Sequence, residues 1–249
     1  MSLLERRESI QDILIISLGV FLAGLIGSII ILVISFLLGN NTEVFSGLYN
    51  SRFGTRVGGL YPILLSFITL IGTVITSIIT YKILGVTNPE RYKKNFVIFS
   101  QVAFFQILLY IFIAPIYVFF GGASFENIMF TYIFHVLISI FGTNIILDIL
   151  NNYRYVLIGV YGNFIGFFVS ILIAIMFFNL FSGGYAKLLS LVFLLPIINF
   201  IIVFLKKIFE FSYFHFYRIT GSDPIGDIFH KIKQEDEENE KEEEQKNMI

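Results

Sequence analysis

The residues of this chain that could do chemistry within its apolar stretches are few and far apart. His135 is the one side chain well inside a long uncharged stretch that titrates near neutral pH. A buried histidine relays protons or binds ligands most readily beside a carboxylate, and the nearest carboxylates in the sequence are Glu126 and Asp148. We therefore expect His135 to be neutral and hydrogen-bonded to a neighbouring helix.

Uncharged polar residues are the other candidates for chemistry within the apolar stretches. Each can hold two helices together, for roughly 0.6–2 kcal/mol, or can line a polar path through a membrane. Packing is the commoner use, and the sequence leaves both open. With His135, the candidate polar or pathway residues are Gln101, Gln106, Asn144, Asn163 and Asn199.

The patterns of several enzyme and metal-site classes are missing from the sequence. Without cysteine there is no disulfide framework, thiolate nucleophile or cysteine-ligated iron–sulfur centre. His-Glu-x-x-His, Gly-x-Ser-x-Gly and phosphate-loop patterns are absent. The three histidines are scattered, and Asp148 is expected to pair with Arg154 across a short turn. We therefore expect no enzymatic activity, no catalytic residues, no metal and no cofactor.

The elements that position these residues are predicted from long uncharged runs. The chain has 249 residues, of which 56% are hydrophobic and 14% charged, with a mean hydropathy of +0.83. A helix needs about 20 apolar residues to cross a hydrocarbon core, and backbone groups in lipid must be bonded within the segment. The sequence thus predicts an all-α bundle of six transmembrane helices, at about 13–38, 59–81, 96–120, 128–149, 155–181 and 188–209.

These helices define the predicted division of the chain. A cytoplasmic N-terminal segment at 1–12 precedes the transmembrane domain at 13–209. An interfacial aromatic and amphipathic segment follows at 210–233, where the aromatic part either continues the helix or lies along the headgroups. The acidic tail at 234–249 is expected to be disordered. Lys206 and Lys207 are expected to extend their ammonium groups to the membrane interface.

Basic residues predict the orientation. With six spans both termini lie on one side, which holds 14 of the lysines and arginines against 3 on the other. The positive-inside rule therefore places both termini in the cytoplasm.

Small and kinking residues predict how the helices pack. Gly159, Gly162 and Gly166 lie on the fifth span, where the four-residue spacing of the last two permits close helix approach. Pro115 and Pro196 are expected to kink the third and sixth helices.

The stretch Leu60–Ile171 resembles the Yip-type membrane family. A helix there ends in Lys82-Ile83-Leu84-Gly85, and a polar loop and closely spaced helices follow. The resemblance implies a non-enzymatic role in membrane organisation or trafficking. A sixth span and a cytoplasmic C-terminus depart from the five-span pattern of that family.

Two main hypotheses about function follow. The first is a membrane scaffold or assembly subunit, supported by the lack of buried charge and by the cytoplasmic appendages. The second is a small permease or channel subunit for a neutral or apolar solute, using the kinked helices and the polar residues. An intramembrane enzyme has the least support.

The expected partners are the lipid bilayer and either other membrane proteins or a second copy, without nucleic acid. Convergence of Gln101, Gln106, His135, Asn163 and Asn199 on one cavity would favour transport, and separate bonds to neighbouring helices would favour the scaffold.

Overall fold

Six long α-helices account for nearly all of the described chain. The computed structural model describes residues 9–39, 61–87, 95–120, 125–151, 156–180 and 184–227. These residues contain no strand, which confirms the predicted all-α class. The helices are α1 (Ile10–Gly39), α2 (Tyr61–Thr87), α3 (Asn95–Phe120), α4 (Phe125–Asn151), α5 (Val156–Leu180) and α6 (Gly184–Thr220).

Each helix is long and apolar enough to cross a membrane. The candidate spans are Ile10–Ser35, Pro62–Val86, Val97–Phe120, Asn127–Leu150, Val156–Phe177 and Val192–Thr220. At 1.5 Å per residue, even the shortest exceeds the roughly 30 Å of a hydrocarbon core. Large apolar side chains such as Phe112 and Phe168 lie on the outer surface of the bundle, where lipid solvates them. The chain is therefore a multi-pass integral membrane protein in contact with the lipid bilayer.

Local hydrogen bonds explain where α1 begins and α6 ends. Ser9 and Asp12 form a reciprocal cap, in which the Asp12 amide donates to Ser9 Oγ (3.1 Å) and the Ser9 amide donates to Asp12 Oδ2 (2.9 Å). Helix α6 stops at Gly221, whose φ of +68° suits a residue without a Cβ. The Gly221 amide donates to the Tyr217 carbonyl (2.8 Å). The helix bounds include the aromatic stretch 211–218, so this stretch continues the helix, as the first of the two alternatives predicted.

A short turn folds back onto the end of α6. Residues 224–227 form a single helical turn after Gly221. The Tyr213 hydroxyl donates to Asp223 Oδ1 (2.5 Å) and accepts from the Ile225 amide (3.2 Å). The described part of the predicted interfacial segment is thus tied to the last turns of α6. The expected acidic tail at 234–249 and the segment 1–8 lie outside the described residues.

The helices run up and down, and α1 packs against both α2 and α6. A Cβ on Gly24 would lie 2.3 Å from Pro196 Cα, so α1 and α6 approach closely where the proline sits inside α6. Apolar clusters fill the interior. One of them lies at the end of the bundle where α1 begins and where α2 and α4 end, which we call the proximal end; its residues are Ile16, Val20, Tyr81, Leu84, Ile98, Val102, Leu147 and Val203.

Candidate functional site

A line of buried polar residues runs along α4. Thr131, His135, Ser139 and Thr143 follow one another at four-residue intervals, so they lie on one side of the helix. Asn144 and Asp148, again four apart, continue the line towards the proximal end. All six are buried. We call the polar seam this line together with the residues that contact it and the residues bonded to those in turn. The residues in contact with the line are Tyr81 of α2, Gln106, Tyr110 and Tyr117 of α3, Asn163 of α5 and Lys206 of α6. Ser66, Thr73 and Ser77 of α2 bond to Tyr110 or Gln106.

His135 lies in the distal part of the seam, between two tyrosines of α3. Its Nδ1 is 3.3 Å from the Tyr117 hydroxyl. Its ring centroid is 5.7 Å from that of Tyr117 and 6.1 Å from that of Tyr110. The Tyr110 hydroxyl is 3.1 Å from Ser66 Oγ, which extends the contacts to α2. His135 Nε2 is buried without a hydrogen-bond partner among the described residues.

Gln106 connects three helices in the middle of the seam. Its Nε2 donates to Ser77 Oγ (2.7 Å) and Thr143 Oγ1 (3.2 Å), and it lies 3.3 Å from the Thr73 carbonyl oxygen. The Gln106 Oε1 atom and the Ser139 hydroxyl are buried, and the described residues offer them no partner. An unpaired buried polar atom costs about 1–3 kcal/mol, so these two atoms and His135 Nε2 are suited to internal water.

Tyr81 and Asn144 form the next level of the seam. The Tyr81 hydroxyl donates to Asn144 Oδ1 (2.8 Å), and Asn144 Nδ2 donates to the Ile140 carbonyl (2.9 Å). Tyr81 also belongs to the proximal apolar cluster. Its ring is therefore packed among aliphatic side chains while its hydroxyl reaches the seam.

Asp148 ends the seam in a buried charged site. Lys206 Nζ of α6 donates to Asp148 Oδ1, and Asn163 Nδ2 of α5 donates to Oδ2 at 2.7 Å. The Asp148 and Lys206 side chains are each 1% exposed. Gly159 makes room for the carboxylate, because a Cβ there would lie 2.6 Å from Asp148 Oδ2. Three helices thus meet at one carboxylate.

A second buried ion pair lies on α6 beside the first. Lys207 Nζ donates to Glu210 Oε2 at 3.0 Å, and the two side chains are 2% and 4% exposed. Lys207 follows Val203 by four residues, so it lies one turn beyond a member of the proximal cluster. The two pairs together carry two positive and two negative charges within the candidate spans.

These pairs correct two expectations from the sequence. Lys206 and Lys207 were expected to reach the interface, but both are buried with carboxylate partners. The spans were also expected to hold almost no charge, which is wrong at the proximal end. The structure pairs Asp148 with Lys206, while Arg154, its expected partner, lies outside the described residues.

The other predicted residues lie at different contacts. Asn199 Nδ2 donates to the Val20 carbonyl (3.0 Å) and to Thr80 Oγ1 (2.8 Å), so it joins α6 to α1 and α2 away from the seam. Gln101 is half-buried on α3 and Pro115 is exposed on the same helix.

The close approach of α5 and α6 depends on the predicted glycines. A Cβ on Gly162 would lie 2.7 Å from Lys206 Cα, and one on Gly166 would lie 2.7 Å from Ile202 Cα. These glycines allow the backbone of α6 to lie against α5, which brings Lys206 within reach of Asp148.

The arrangement thus places hydrogen-bonding side chains one after another along α4. Among the described residues no three His, Asp or Glu side chains group as metal ligands. Asp148 and Lys206 are two titratable groups in direct contact, and this is the geometry of a buried ion pair.

Sequence reasoning missed the seam because each polar residue was weighed singly. The four-residue spacing from Thr131 to Thr143 was legible in the sequence, and so were the hydroxyl residues of α2 that face it. Comparisons with protein-family models, with curated proteins and with solved structures find no match to this chain.

Proposed function

We propose that this protein is a small permease or channel subunit whose path is the polar seam. The observation that carries the proposal is a buried polar line along α4 that ends on the Asp148–Lys206 pair. From Thr131 to Asp148 the helix rises about 25 Å, most of the thickness of a hydrocarbon core. His135 lies well inside its candidate span, and ionisable residues at that depth commonly mark ion and substrate pathways.

Two features of the seam support a path over packing alone. First, His135 of α4 lies on one line with Thr143 and Asp148, which bond the test residues Gln106 and Asn163. These residues do not converge on a single cavity, so the test stated above favours the scaffold; the path is supported by their alignment along α4. Second, within the described part of the chain His135, Ser139 and Gln106 leave buried polar atoms unpaired side by side along one line of α4, whereas such atoms off the seam, as on Ser170 and Asn199, belong to other helices.

The basic residues support an orientation for this path. Because 14 of the 17 lysines and arginines fall on the side of the termini, we place the proximal end in the cytoplasm. Asp148 and Lys206 then close the cytoplasmic end of the seam, and His135 lies towards the opposite side.

Cysteine accessibility tests the proposal directly, because the chain has no cysteine of its own. We expect Ser139→Cys in membrane vesicles to react with 2-aminoethyl methanethiosulfonate, a small water-soluble thiol reagent. The thiolate is the reactive form and is favoured only where water is present. The readout is the thiol that remains for maleimide–polyethylene glycol labelling after denaturation.

Ser170→Cys is the matched control. Ser170 lies on α5, is equally buried and also has an unpartnered hydroxyl among the described residues, but it is not on the seam. We expect Ser170→Cys to stay unreactive. If Ser139→Cys and Ser170→Cys are equally unreactive, the seam is a dry packing surface and the permeation proposal is wrong.

A membrane scaffold or assembly subunit is the second candidate. The ordered extension of α6, with its Tyr213–Asp223 contact, favours it by presenting a built surface beyond the apolar core. The resemblance to the Yip-type family supports the same role, whereas the absence of buried charge no longer does. Purification in mild detergent tests it: a defined complex with a membrane protein would support a scaffold, and a lone monomer would contradict it.

A further inference from the structure

The polar seam has one titratable group, His135, in its distal part, another, Asp148, at its proximal end, and hydrogen-bonding side chains between them. Resting on the permeation proposed above, we propose that the species carried along the seam is the proton, passing between His135 and Asp148 through Ser139, Thr143 and bound water. The carrying observation is the set of unpaired buried atoms, His135 Nε2, Ser139 Oγ and Gln106 Oε1, beside one line of α4.

Contacts across the seam favour a proton over any larger solute. Gln106 of α3 reaches Ser77 of α2 and Thr143 of α4 directly, so the walls touch in the middle of the path. To pass Thr143 a solute would have to break these bonds, whereas the thiol reagent needs only to reach Ser139, which lies on the distal side of this contact. A proton instead moves by exchange along hydrogen bonds and needs no open channel.

The spacing along α4 suits single water bridges. Four residues of helix rise about 6 Å, and two hydrogen bonds of about 2.8 Å through one water span a similar distance. Ser139 stands one such step from His135 and one from Thr143. A hydroxyl both donates and accepts, so it can receive a proton on one side and release one on the other.

His135 and Asp148 can take up a proton at one end of the path and release it at the other. Neutral imidazole has one nitrogen that donates and one that accepts, and here Nδ1 faces Tyr117 while Nε2 is unpaired. At the other end, Asp148 faces the ammonium of Lys206 and the uncharged amide of Asn163. For each proton that His135 Nε2 takes up from the distal aqueous side, Asp148 releases one on the proximal side, so one positive charge crosses the membrane. A counterion must therefore move to sustain the flow.

Proton entry into proteoliposomes tests the inference. The full chain is reconstituted in potassium-loaded vesicles with the pH-sensitive dye pyranine inside. Dilution into potassium-free buffer with valinomycin lets potassium leave, which makes the interior negative and supplies both the driving potential and the counterion. We expect the vesicle interior to acidify faster with protein than without it. Ser139→Val replaces the hydroxyl by two methyl groups, so it removes the hydrogen-bonding group and enlarges the side chain. It should slow protein-dependent entry by about tenfold, since losing one buried hydrogen-bonding group raises a barrier by about that factor.

Two further variants make the result decisive. Ser170→Val makes the same change off the seam and should leave the rate unchanged. His135→Phe keeps a ring between Tyr110 and Tyr117 without the nitrogens and should slow entry as Ser139→Val does. Proton entry no faster than in protein-free vesicles, or equal in the wild type and in both seam variants, overturns the inference. If Ser139→Cys is accessible to the thiol reagent while proton entry is absent, the path stands and the proton is not its substrate.

Discussion

The Asp148–Lys206 pair gives the sharpest test of the structure. Asp148→Asn removes the negative charge but keeps the shape of the side chain. The Asn163 amide can then turn so that its free Oδ1 accepts from the new Asn, because that oxygen has no partner among the described residues. The main loss is therefore electrostatic, because the buried Lys206 side chain no longer faces a carboxylate. Lys206→Met makes the opposite change and leaves the carboxylate uncompensated.

The expected cost follows from the burial of both partners. The side chains are each 1% exposed, so solvent does not screen the charge that is left behind. Removing one partner of such a pair lowers the free energy of unfolding by about 3–5 kcal/mol. If the two effects were independent, the double variant would lose roughly 6–10 kcal/mol. Because the double variant leaves only an amide imperfectly bonded, we expect it to lose about 1–3 kcal/mol.

Unfolding in mixed micelles with increasing dodecyl sulfate measures these differences. Far-UV circular dichroism is the suitable signal, since the chain is helical and has no tryptophan. Lys82→Met is the control, because Lys82 is exposed and lies over the Phe99 ring at 4.9 Å; it should cost about 1 kcal/mol or less. Single-variant losses that add up in the double variant would refute the pairing of Asp148 with Lys206.

Three other substitutions test separate contacts. Gly166→Ala should lower the free energy of unfolding by about 1–3 kcal/mol in the same assay, because the new Cβ would meet the α6 backbone. Gly142→Ala is the control: its Cβ would meet only the end of the Leu109 side chain, so its effect on the free energy of unfolding should be near zero. Asn199→Leu should cost roughly 0.6–2 kcal/mol by circular dichroism, and no loss would show that its bonds to α1 and α2 do not form. Tyr213→Phe should speed amide exchange at Ile225 by about fivefold, with global stability unchanged; unaltered exchange would contradict the turn contact.

The six membrane helices could be predicted because lipid demands little beyond length and apolar character. Their ends were predicted well where an uncharged run meets polar residues, as at Asn95 and Phe120 of α3. The ends of α2 and α6 were predicted less well. Helix α2 continues past the predicted 81 to Thr87, and for α6 continuation through the aromatic stretch was only one of two alternatives. Lys206 and Lys207 suggested the membrane boundary, but each has a carboxylate partner within the bundle, and the helix continues to Thr220. Counting charges one at a time cannot recognise charges that neutralise each other in space.

Only part of the site could be predicted, because the sequence identifies polar residues but not which of them meet in space. His135, Asn144 and Asn163 were singled out as polar groups, and all three lie on the seam. The pairing of Asp148 with Lys206 joins residues 58 apart in the chain, and only the packing of α4, α5 and α6 brings them together. A sequence shows which residues are unusual for their surroundings; the order in which helices pack determines which of them meet.

The packing of α1 against α6 has a consequence for how this protein is made. The Val20 carbonyl accepts from Asn199, so 179 residues of chain separate the two sides of that bond. At translation rates of about 5–20 residues per second, the ribosome needs roughly 10–35 s to reach the partner after α1 has emerged. During that interval the face of α1 that later packs against α6 is in contact only with lipid or with the insertion machinery. The bundle is therefore completed late, when the last helix arrives beside the first.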